Sequence, residues 1–177
     1  MPVSKLQTLS VTFALTTSGL TSMAFADEVG CNEKYNLYVE AQTNWQNSSA
    51  ARAGELLPEH KERINQYRDV QLTMIERRKL AVELALKNYP DQVATWGSIN
   101  RWIELSPEFE TKLSNLSPEF QKLTEQYQAL ISKPASASDD EFSATFRRTA
   151  ISDPEFMQLM DDFNLKSREI NSLSCKK

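Results

Sequence analysis

The stretch from Pro58 to Asn88 constrains this chain most, because it is the longest helically patterned run in the sequence and prolines bracket it. Pro58 suits a first helical turn, where its missing N–H is not needed, and Pro90 forces a stop. About thirty residues at ~1.5 Å each make a rod of roughly 45 Å. So long a rod must be covered along its length, and the rest of the chain is built to cover it. Apolar residues recur at spacings of three and four, with no sustained alternation of period two. Only 4 glycines punctuate a sequence rich in Leu, Ala, Glu, Lys, Arg and Gln, which are good helix formers. The expected fold is all-α: a helical bundle with one long central helix.

Flanking segments extend the same pattern. A first helix is expected from Asn32 to Gln46, followed by a polar, small-residue linker, Asn47-Ser48-Ser49-Ala50-Ala51. Beyond the long helix a start signal recurs as Ser106-Pro107-Glu108-Phe109, Ser117-Pro118-Glu119-Phe120 and Asp153-Pro154-Glu155-Phe156. In each, Ser or Asp caps, Pro takes the first helical position and Glu favours the positive helix end. Ser138-Asp139-Asp140-Glu141 reads as a capping box after the linker Lys133-Pro134-Ala135-Ser136-Ala137. The last helix is expected from Pro154 to Leu173.

Residues 1–26 read as a leader. Lys5 precedes a mildly apolar run from Leu6 to Phe25, which ends in the small-x-small signature Ala24-Phe25-Ala26 before Asp27-Glu28. That is the three-part pattern of a cleaved secretory signal, and the run is short and polar for a membrane span of ~20 apolar residues. The sequence therefore divides into a signal peptide, 1–26, and a single all-helical domain, 27–177, bound for a periplasm or the exterior. In that oxidising setting Cys31 and Cys175, near the two ends of the domain, are expected to form a disulfide. The alternative is free or metal-bound thiols, but one His and no Cys-x-x-Cys argue against a zinc site, and no metal is expected.

A formal charge of −4 without a basic run argues against nucleic-acid binding, and no later segment is a candidate membrane span. The metalloprotease, P-loop, nucleophile-elbow and dinucleotide motifs are absent. His60, the lone histidine, lies near the start of the long helix. What stands out is cationic. On a wheel of ~100° per residue, Arg63, Gln71, Arg77, Arg78 and Asn88 fall on the same arc as Ile64, Tyr67, Val70, Met74, Ile75, Ala81, Val82, Leu84 and Ala85. That arc holds no carboxylate. A buried guanidinium needs a partner, so either other helices supply carboxylates or a ligand does. Alternatively, the arginines snorkel at the edges of an apolar face.

The run Ile75-Glu76-Arg77-Arg78-Lys79-Leu80-Ala81-Val82-Glu83-Leu84-Ala85-Leu86-Lys87 resembles the long first helix of the all-helical chorismate mutase family. Arg101, opening a helical segment Arg101-Trp102-Ile103-Glu104-Leu105, and the phrase Leu116-Ser117-Pro118-Glu119-Phe120 follow in the family's order. The likeness covers about residues 58–130 and suits the family's secreted class. It implies a cofactor-free isomerase that rearranges chorismate, a small dianionic metabolite, to prephenate. Arg77 and Arg101 would clamp carboxylates and carry catalysis, with Arg63, Lys87 and Asn88 as weaker substrate contacts. Asn88 stands where the family places a lysine, three turns after Arg77; Lys87 is one residue early, and Trp102 replaces the Glu that often follows the second arginine. The alternative is a non-catalytic periplasmic helical module, chaperone-like or ligand-binding, with an exposed apolar groove and no pocket around Arg77.

Overall fold

A computed structural model describes residues 29–132 and 137–176. The leader, most of the 133–137 linker and the side chains of the Ser138-Asp139-Asp140 cap lie outside the described residues. Six α-helices follow in order: α1 (Cys31–Leu56), α2 (Lys61–Asn88), α3 (Pro107–Leu116), α4 (Pro118–Ile131), α5 (Ala137–Ser152) and α6 (Pro154–Ser172). Two-residue strands, β1 (Val29–Gly30) and β2 (Cys175–Lys176), pair in parallel with Val29 opposite Cys175. The expected Cys31–Cys175 disulfide is present and closes the same end, with Cα atoms 4.8 Å apart. The chain is an all-α bundle whose two ends are clasped.

α2 is the central rod, packed by α1 on one side and by α3 and α4 on another. Its first residues differ from expectation: Pro58–His60 form a separate 3-10 turn, and the α-helix proper begins at Lys61. The three proline start signals behave as read. Ser106 Oγ accepts from the Phe109 N–H at 3.3 Å, Ser117 Oγ from Phe120 at 3.2 Å and Asp153 Oδ1 from Phe156 at 2.8 Å. Each cap also delivers its phenylalanine, third in the helix, into a buried position.

Two expectations are corrected. Asn47–Ala51 is no linker, because α1 continues through it to Leu56. Ser49 turns its hydroxyl back onto the Trp45 carbonyl at 2.6 Å, and Asn47 and Ser48 lie exposed on the helix. Ala50 and Ala53 are buried where α1 meets its neighbours, and a Cβ added at Gly54 would stand 3.4 Å from Lys61 Cγ. The small residues permit close helix approach. Nor does Arg101 open a helix: it ends a single 3-10 turn, Ile99–Arg101, and irregular chain follows to α3. The apolar residues there are core nonetheless, with Val93, Ile99, Trp102 and Ile103 buried.

The core has two parts strung along α1 and α2. Near the clasp, Tyr35, Val82, Ile99, Trp102, Leu113, Phe120 and Ile170 pack together, with Tyr35 stacked on Trp102 at 5.7 Å. Farther along, Ala50, Ala53, Leu57, Ile64, Phe142, Ala150 and Phe156 form a second cluster under α5. No helix among the described residues is long and apolar enough to cross a membrane.

Candidate functional site

Each arginine of the α2 arc has a different fate. Arg77, only 5% exposed, is enclosed by α3 and α4. Its Nε donates to Thr124 Oγ1 at 3.1 Å, and its Nη2 donates to the Glu110 carboxylate in an ion pair. The rings of Phe120 and Tyr127 lie 5.7 and 5.3 Å from its guanidinium carbon. A neighbouring helix therefore answers the sequence's open question with its own carboxylate. Arg78 is half-buried and donates Nη2 to the Asn100 and Ile103 carbonyls at 3.0 and 3.3 Å, holding the irregular segment against α2. Burial pushes the Tyr35 hydroxyl's pKa up, and the Arg78 guanidinium beside it pulls it partly back.

The other expected site residues do not join Arg77. Arg101 is exposed. Lys87 and Asn88 are exposed at the end of α2, and Asn88 Nδ2 turns back onto the Leu84 carbonyl at 2.8 Å. Arg63 is half-buried at the far end of the helix, its guanidinium 5.2 Å from the Phe142 ring centre. Lys34, unremarked in the sequence, is buried and donates Nζ to the Asn171 and Leu173 carbonyls at 3.2 and 2.6 Å. It thus places a cation on the negative end of α6, although burial lowers its pKa.

Among the described residues a concavity opens at the Arg63 end. α1, α2 and α5, with Phe156 of α6, enclose a cleft of about 460 Å³, within the ~300–1,000 Å³ range of small-molecule sites. Ala50, Ile64, Phe142, Phe146, Ala150 and Phe156 form its floor and walls, and Tyr67 and Ile151 stand exposed in its lining. The walls are aromatic and mutually braced. Tyr67 stacks on Phe142 at 5.8 Å, Phe146 meets Phe142 at 5.9 Å and Phe156 at 6.0 Å, and Trp45 backs Phe156 at 5.6 Å. The polar lining includes Gln46, Gln71, Arg68 and Arg147. A smaller cleft of about 190 Å³ separates α1 from α6 near Trp45 and Phe163. Neither is lined by Arg77 or Arg101.

The larger cleft lay partly within reach of the sequence. Phe142, Phe146 and Ala150 recur every fourth residue and so share one face of a helix; Ile64, Tyr67 and Gln71, spaced by three and four, share a face of α2. What the sequence did not offer was the pairing of those two faces. Among the described residues no three of His, Cys, Asp and Glu cluster as metal ligands would. No protein-family model, curated protein or solved structure matches the chain.

Proposed function

We propose that this is an exported, non-catalytic helical binding module that takes the apolar part of its ligand into the cleft between α1, α2 and α5. The cleft itself carries the reading: its size and braced aromatic walls are those of a preformed small-ligand site. The leader pattern supports export, and the Cys31–Cys175 bridge is compatible with an oxidising compartment. N-terminal sequencing of protein recovered from the cell envelope should begin at Asp27.

The binding test uses Nile red, an uncharged apolar dye, with the oxidised protein. The expected result is saturable blue-shifted emission at one dye per chain. Ser143→Trp, on the exposed lining of α5, should weaken it about tenfold or more by filling the mouth, with the helical circular dichroism unchanged. No saturable binding in the folded protein would sink the reading.

The chorismate mutase resemblance leads to a second reading, for which the burial of Arg77 speaks, since a guanidinium held away from water attracts a carboxylate more strongly. Its difficulty is that Glu110 already occupies the guanidinium. Chorismate absorbance followed with the wild type and Arg77→Ala decides between them. Turnover lost in the variant would establish the mutase; none in a folded wild type would remove it.

A further inference from the structure

The cleft's charge is at odds with the chain's. The protein carries 24 acidic against 20 basic residues, yet the described lining contains Arg68 and Arg147 and no Asp or Glu. Arg68 is half-buried and, among the described residues, bonds its exposed helical neighbour Asp69 alone, at 2.8 and 3.0 Å. Such an adjacent surface pair contributes little and is easily exchanged for a better acceptor. Arg147 is exposed and carries no hydrogen bond or ion pair to another described residue. The two arginines come from α2 and α5, the helices that form facing walls, so cationic groups flank an otherwise apolar trough.

From this charge complementarity, and resting on the binding reading above, we infer that the occupant is a single-chain amphiphilic carboxylate, with its hydrocarbon tail among Phe142, Phe146 and Phe156 and its head between Arg68 and Arg147. Carboxylate is the acceptor that a guanidinium fork matches best. The tail needs no polar partner, and the aromatic walls offer it none. A cationic or zwitterionic amphiphile would bring positive charge to a cationic rim at a cost.

The test compares three probes with the same tail, dodecanoate, dodecanol and dodecyltrimethylammonium, each below its micelle threshold, in competition with Nile red on the oxidised full chain. Dodecanoate should bind about tenfold or more tighter than dodecanol, the worth of a charge-assisted hydrogen bond, and the cation should bind weakest. Arg68→Gln/Arg147→Gln should bring acid and alcohol to within about threefold while leaving alcohol binding intact, and Arg147→Glu should invert the order of acid and cation. Equal affinity for acid and alcohol in the wild type would overturn the carboxylate assignment and leave the apolar binding site standing. A preference for the acid that survives both arginine variants would place the head elsewhere and overturn it too. Failure of all three probes to displace a dye that does bind would overturn the amphiphile assignment alone, whereas failure of the dye to bind would take the binding reading down with it.

Discussion

Arg77 is held by a carboxylate, a hydroxyl and two aromatic faces, and its energetic role follows from that enclosure. Removing one member of a buried ion pair costs ~3–5 kcal/mol because the other is left without compensation. The Glu110 side chain is 25% exposed, so water can recover part of the loss. Arg77→Leu should therefore destabilise by about 3 kcal/mol, and Arg77→Leu/Glu110→Leu should regain more than half of that, as urea midpoints in a double-mutant cycle would record. Asp153 makes a different kind of contact at the start of α6. Its two oxygens receive Arg52 Nε and Nη2 at 2.9 and 2.7 Å. The Arg52 guanidinium, joined by the Phe156 N–H, holds its pKa at about 2. The unfolded value is ~3.9, so this contribution is complete above about pH 4 and is lost as pH falls through 2. Asp153→Asn keeps a capping oxygen but removes the charge. Its urea midpoint should sit lower at neutral pH and converge on the wild type's toward pH 2. At this scale the caps were legible, because Ser117 and Phe120 interact across a single turn. Glu110 was not, because it lies 33 residues from Arg77 and only the tertiary fold brings it there.

At the scale of elements, composition misled in two places for one reason. Asn47–Ala51 has the small, polar make-up of a connector, and Arg101–Leu105 has the make-up of a helix; the structure reverses both. Helices in proteins are stabilised chiefly by packing rather than propensity. The first segment places small residues where α1 approaches its neighbours closely, Ser49 and Ala50 being 8% and 9% exposed. The second is apolar because Trp102 and Ile103 fill the core from an irregular backbone that Arg78 holds by its carbonyls. Long elements with local punctuation, such as α2 and α6, were read to within a few residues. Ala51 tests the reversal cleanly, since its side chain is exposed and has no packing to lose. Within a helix Ala51→Pro should cost ~3 kcal/mol or more and Ala51→Gly about 1 kcal/mol. Thermal denaturation monitored at 222 nm would show both. A proline variant as stable as the wild type would restore the linker.

Across the whole molecule, the clasp and the cleft sit at opposite ends of a shared pair of helices. The disulfide joins residues 144 apart in sequence, and the chain-entropy argument allows about 5 kcal/mol as an upper value for so long a loop. That stabilisation acts on the unfolded ensemble and does not shape the folded site. The cleft's α1 residues, Gln46, Ser49 and Ala50, lie at least 15 residues beyond Cys31, about 22 Å along the helix axis at ~1.5 Å per residue. The second core cluster beneath the cleft draws on none of the residues of the first. Cys31→Ala/Cys175→Ala should therefore lower unfolding free energy by about 2–5 kcal/mol and leave Nile red affinity unchanged at temperatures where the variant remains folded. An affinity that falls with the disulfide while the far-ultraviolet circular dichroism holds would mean that the clasp sets the spacing of α1 and α2 at the cleft. The two ends would then be mechanically one, and reduction of a single bond would control binding at the other end of the bundle.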